Sequence, residues 1–320
     1  MREEYLGSGL DKGYIETYLK NIRNLDPVEI TTVVNPINLA DSDKIDTLVD
    51  IKKFWKIVDG CSIELQKRYG VQLTLLQPQR CYVAVPQEQE ATGGFHDIRS
   101  LGYQYWYQAS FAMMLSDKII SRELRTIELA RNYLHDCFHH STFRSFRRAL
   151  RIPASSSSIA KHRVPEIYRE QYGINFRNQE GLSYSSPELT KGSPKTINLN
   201  LLMDGVIVLV SFELLSTVVG NFVCKNDVEE NVRREIFLES SFNQILLPRA
   251  YQFHTSITMP SKKFIAYWGG ENFITLVLKA MISGELEEVK SFFSQQTGFI
   301  DAWEKLFRRP EFLITYRPEI

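Results

Sequence analysis

The chain of 320 residues is 43% hydrophobic and 24% charged, which excludes wholesale disorder and leaves room for a sizeable core, in one large domain with a small one or in two medium ones. Lys plus Arg and Asp plus Glu number 38 each, so the overall charge predicts neither a nucleic-acid coat nor a polyacidic tail, and any charge argument must be local. Cys61, Cys81, Cys137 and Cys224 form no C-x-x-C pair, and the opening MREEYLGSGL lacks the apolar core of a signal peptide. These features predict a soluble protein of a reducing compartment, cytoplasmic or exported as an effector without a cleaved leader.

Helical periodicity is expected over residues 10–24 and 42–70, where Ile51, Phe54, Trp55, Val58 and Ile63 recur at three-to-four spacing. Val71 to Leu76 and Cys81 to Val85 read as strands, because β-branched and aromatic residues lie between Gly and Pro punctuation. Thr92-Gly93-Gly94 reads as a turn, and helix is expected from Ile98 to Met114 and from Ser121 to about Leu150, where Pro153 and the serine run 155–158 end it. A mixed segment, 160–198, leads to an apolar run from Leu199 to Val223. Its length suits a membrane span, but Asp204 and Glu213 within it make a buried core helix, or a helix and strand in succession, the better reading. Gln244 to Thr258 alternates like strand, and residues 271–307 return to helix. The piece LVLKAMISGELEEVKSFFSQQTG resembles the body of one ankyrin repeat, but without visible neighbours it reads as a plain helical hairpin.

Chemistry concentrates in the segment ELRTIELARNYLHDCFHHSTFRSFRRAL, with strong helix formers and an apolar face through Ile127, Ala130 and Leu134. Three of the six histidines, His135, His139 and His140, lie there with Asp136. Side chains four apart share a helix face, which stacks His135 on His139 and Asp136 on His140. Two imidazoles one turn apart can hold one Zn²⁺.

His135-Asp136-Cys137-Phe138-His139 resembles the H-E-x-x-H signature of zincin metallopeptidases, with Asp in place of Glu. The predicted helix, strands, Gly-Gly turn and second helix follow the zincin order, and PEIYREQYGINFRNQEGLSYS is similar to a segment beyond the metal helix in some bacterial effector metallopeptidases. That resemblance implies His135, His139 and Glu166 as zinc ligands and Asp136 as general base, one methylene shorter than the family's Glu. YLHDCFHH also resembles the core of HD-type phosphohydrolases, helical proteins in which adjacent His and Asp both bind metal. His96 precedes and Asp204 follows in the order that resemblance requires, while Phe138 stands where Gly is usual. On this reading the metal is Mn²⁺ or Fe²⁺ rather than Zn²⁺.

Weaker signals surround the cluster. His140-Ser141-Thr142-Phe143 and His254-Thr255-Ser256-Ile257 match the paired motif of 2H phosphoesterases, but the first copy lies in a helical context. Cys137 points away from His135 and His139 on a helix and reads as a buried structural thiol. Arg144, Arg147, Arg148 and Arg151, with Lys161, Arg163 and Arg169 beyond the serine run, form a basic field that reads as a solvated helix face or as a seat for a phosphate-bearing ligand. Asp204 and Glu213 are reserve third ligands.

The sequence therefore predicts an α+β fold: a helix-rich domain, residues 1–260, with a small β-sheet before the metal-site helix, and a C-terminal helical region, 261–320. The expected function is metal-dependent hydrolysis of a protein or peptide substrate, with phosphoester hydrolysis second and a non-catalytic binding protein or pseudoenzyme third.

Overall fold

A computed structural model of the chain describes residues 3–6, 36–85, 93–96, 111–115, 119–151, 164–170, 176–177, 183–184, 200–220, 226–227, 230 and 270–300. For the strands at 3–6, 93–96, 144–151, 164–170, 176–177 and 183–184, and for residues 111, 112, 114, 200–205 and 208, the backbone alone is described. The fold of this part is α+β, with helices dominant. The expectations for 10–24, for Ile98 to 110, for most of 160–198 and for Gln244 to Thr258 lie outside the described residues.

The expected helical stretch 42–70 is two helices, α1 (Ser42–Ile45) and α2 (Ile51–Tyr69), with a break between them. Aspartates make the break. Asp46 Oδ1 accepts from the backbone N–H of Ile51 at 3.2 Å, and Asp50 caps α2 by accepting from Lys53 N–H at 2.9 Å, the role a short acidic side chain plays best at a helix start. Gly70, at φ 67°, ends α2 in the left-handed conformation that glycine adopts without strain. Phe54, Ile57, Val58, Cys61, Leu65 and Tyr69 form its buried stripe.

Residues 71–77 have no regular secondary structure and join no ladder, which corrects the strand expected there. Their inward backbone groups are taken by side chains of the helix alongside: Thr74 N–H donates to Ser141 Oγ at 2.7 Å, and Tyr133 Oη donates to the Leu76 carbonyl at 2.7 Å. The second expected strand is β3 (Cys81–Ala84), in a four-stranded sheet with β2 (Ile37–Asn38), β4 (Gly93–His96) and β5 (Phe111–Met114), ordered β2-β3-β5-β4. β3 and β5 are parallel, while β2 and β4 run antiparallel to their neighbours. Two expectations fail here. Gly93 and Gly94 are in the ladder, opposite Met114 and Met113, because a ladder needs only backbone groups and a glycine supplies them. Phe111–Met114 is strand rather than the end of a helix, since a short apolar run has no decisive period and the open edge of β3 settles it.

Helix α3 (Arg122–Ser141) carries the candidate cluster. Ser121 caps it, accepting from Leu124 N–H at 3.3 Å. Its start is tied to that of α2 by the Asp50 N–H donating to Thr126 Oγ1 at 2.9 Å, by Lys53 paired with Glu123, and by Arg122, which donates to the Val49 carbonyl at 3.1 Å. The helix was expected to reach about Leu150, and it stops at Ser141. Thr142 leaves helical geometry (ψ 148°), and Phe143 N–H donates to the Met281 carbonyl at 2.8 Å. The arginine-rich stretch is therefore a strand, β6 (Arg144–Arg151), parallel to β1 (Glu3–Leu6) and antiparallel to β7 (Val164–Glu170). Two further short strands, β8 (Phe176–Arg177) and β9 (Ser183–Tyr184), pair with each other. The arginines lie opposite Glu3 (Arg144), Leu6 (Arg147), Ile167 (Arg148) and Val164 (Arg151) in those ladders, so they do not form the single helix face expected of them.

The apolar run is one core helix, α4 (Asn200–Val219), packed on α2 and α3, with Val206, Ile207, Leu209, Val210, Leu214 and Leu215 buried. Among the described residues no helix is long and apolar enough to cross a membrane. The C-terminal hairpin is also present, as α5 (Gly270–Ser283) and α6 (Glu287–Thr297), bound by Phe273 of α5, which packs edge-on to Phe293 and in a tilted contact on Phe292, each at 5.7 Å between ring centres. Its buried residues join the core formed by α2, α3 and α4. The joint with α3 is close, because a Cβ on Gly284 (φ 79°) would lie 2.3 Å from the Phe143 ring. Residues 301–307, expected to continue the helical region, lie outside the described residues.

Candidate metal centre

At 100° per residue, the positions of α3 from Arg125 to His139 divide cleanly. Leu129, Tyr133, Thr126, Cys137, Ala130, Leu134, Ile127 and Phe138 take one side. The other, an arc of about 140°, holds Asp136, Arg125, Asn132, His139, Glu128, His135 and Arg131. An ordinary amphipathic helix would turn that second side to water. Here much of it is buried: Glu128 is 3% exposed, Asn132 4% and Asp136 3%, with both histidines half-buried between them.

His135 and His139 are brought together as the i,i+4 spacing requires. Their Nε2 atoms are 3.1 Å apart, with ring centres 4.7 Å apart and planes inclined at 59°. Two nitrogens bound at ~2.05 Å to one tetrahedral Zn²⁺ would be about 3.3 Å apart, so the pair fits a shared cation with little adjustment. Among the described residues no group of three or more His, Cys, Asp and Glu side chains is gathered as a ligand set. The pair alone is therefore not a complete ligand set among the described residues.

The proposed third ligands fall in three places. Glu166 is on β7, its backbone opposite Ala149, and its side chain lies outside the described residues, as does that of Asp204 on α4. Glu213 is engaged elsewhere: it accepts from Tyr69 Oη at 2.8 Å and from Arg68 at 3.2 Å, and Arg68 also reaches Glu271 at 2.8 Å, so this carboxylate joins α2 to α4 beside α5. Burial, then Glu213, push the Tyr69 phenol well up, so it stays a donor. His96 ends β4, a strand that packs against α3, with its side chain outside the described residues.

Asp136 is a buried carboxylate whose field reaches the inner thiols. Burial pushes Cys81 well above the usual thiol range, with Cys137 and Asp136 adding to the effect. Cys137, fully buried, is raised mainly by burial and secondarily by Asp136. Both are protonated structural thiols, as expected of Cys137, and neither is a thiolate nucleophile. The 2H motif copy at His140 ends a helix instead of lying in a strand, and the copy at His254 lies outside the described residues.

No known family model, curated protein or solved structure matches this chain.

The sequence reading missed Glu128 and Asn132. The recurrence of Glu128, Asn132 and Asp136 at every fourth residue is visible in the sequence, but a polar row opposite an apolar one ordinarily signals a wet face, and only tertiary packing shows this one covered.

Proposed function

We propose that the protein is a metal-dependent hydrolase acting through α3, with peptide-bond hydrolysis as its reaction. The observation that carries this reading is the 3.1 Å approach of the His135 and His139 Nε2 atoms beside the buried carboxylate of Asp136. Zn²⁺ would supply Lewis-acid polarisation of the scissile carbonyl. In this arrangement His135 and His139 are ligands, Glu166 is the third, and Asp136 accepts the proton of the attacking water. The succession of a helix, a mixed sheet and the histidine helix favours the zincin-like over the HD-like resemblance, because the latter implies helices where β3, β4 and β5 stand.

The test is metal analysis of purified full-length protein, followed by turnover of a peptide library. One equivalent of zinc, lost in His139→Ala, is expected. Asp136→Asn is expected to abolish turnover with the metal retained, and Asp136→Glu to raise it if the short side chain limits proton transfer. Loss of metal in Asp136→Asn would instead make Asp136 a ligand and favour phosphoester hydrolysis. Protein that takes up neither zinc nor manganese leaves a non-catalytic binding protein.

A further inference from the structure

On the same covered side of α3, three hydrogen-bond donors are left over. Asn132 Nδ2, Arg125 Nε and Arg131 Nε are each buried and make no hydrogen bond among the described residues. Asn132 lies three and four residues before His135 and Asp136, so its amide is on their side of the helix, about one turn below them. A guanidinium and an amide N–H₂ only donate, and an unmade bond from a buried donor is costly. Glu128 and Asp136, the acids on this side, have interactions of their own, although the buried Asp136 Oδ2 makes no hydrogen bond among the described residues. Asn132 and Arg131 on adjacent residues, with Arg125 about two turns nearer the helix start, thus offer donors that an acceptor-rich group would complete.

We infer that these donors bind an oxyanion, a carboxylate or a phosphate, carried by the ligand about one helical turn (roughly 5 Å) from the group held at the histidines. Asn132 donates to one oxygen, and Arg131 and Arg125 supply charge-assisted bonds to the others. The inference deepens the hydrolase reading by assigning it an anionic substrate, but it stands on atoms that the metal does not need.

The test is calorimetric titration of metal-free, full-length protein with inorganic phosphate and with glutarate. Saturable binding of at least one is expected, weakened about tenfold or more in Asn132→Leu and in Arg131→Gln. Binding of phosphate alone assigns a phosphate-bearing ligand, and of glutarate alone an acidic side chain. Without ligand, Asn132→Leu is expected to melt at or above the wild-type temperature, since an unsatisfied donor gives way to an apolar group of similar size. A structural amide would behave oppositely. No heat with either anion, undiminished affinity in both variants, or a lowered melting temperature in Asn132→Leu overturns the inference, and Arg131→Gln decides it should Asn132→Leu not fold. His139→Ala separates the two proposals: it is expected to lose metal and keep the anion. Metal binding without anion binding sinks this inference alone, and anion binding without metal sinks the hydrolase reading alone.

Discussion

One side of α3 is buried and the other half-buried, and the two are built on opposite terms. On the inner side every polar atom just described has a partner: Tyr133 Oη donates to the Leu76 carbonyl, and Ser141 Oγ accepts from Thr74 N–H while donating to the Cys137 carbonyl at 2.7 Å. On the other side, Asn132, Arg125 and Arg131 keep buried donors unused, and two imidazoles meet without a third ligand among the described residues. Satisfied burial stabilises, whereas unsatisfied burial costs free energy and persists where a ligand is expected to complete it. On the proposed reading, that difference separates scaffold from site.

The largest effect that would break this division is on the inner side. Phe138 is almost wholly buried, and Phe138→Ala should cost about 3–5 kcal/mol through lost transfer energy and an unfilled cavity, read as a shift in the urea midpoint at constant slope. A loss under ~1 kcal/mol would mean that the inner side is not core.

Ser141→Ala should cost about 1–3 kcal/mol, because it removes the buried hydroxyl that accepts from the Thr74 N–H and donates to the Cys137 carbonyl. Faster amide exchange at Thr74 would locate the effect.

The thiols give a pH dependence. Cys137 and Cys81 hold their protons more tightly folded than unfolded. The stability this contributes is fully present below the unfolded value of about 9 and is lost as pH rises toward the folded values. Stability measured from pH 7 to 10 should fall above pH 9, and Cys137→Ala should flatten that fall. An unchanged slope would place the thiol in water.

Smallest in stability is His139→Ala, expected to change it by no more than ~0.5 kcal/mol while removing metal binding. A loss comparable to that of Phe138→Ala would make the histidine pair core, and the division between the sides would collapse.

The helices were the legible part of the fold. In α2 and α3 the apolar spacing, an acidic or serine cap and, for α2, a closing glycine agree, and in α4 and the hairpin the apolar content alone suffices. All of these are local signals, written within a turn or two of the residues they govern. The i,i+4 meeting of His135 and His139 belongs with them, since helix geometry enforces it wherever the helix lies. What local signals could not decide was pairing. Residues 71–77 and 111–114 carry similar apolar runs, yet the first is bonded to α3 side chains and the second to β3, because such a run takes whichever partner the fold brings alongside. The end of α3 was likewise decided at a distance: Phe143 donates to Met281 and packs on Gly284, so the arginines that follow became strand despite their helix propensity. Burial of Glu128, Asn132 and Asp136 was settled last and by tertiary structure alone. Spacing can say which side chains share a face, but whether that face meets water or protein depends on elements far away in the chain.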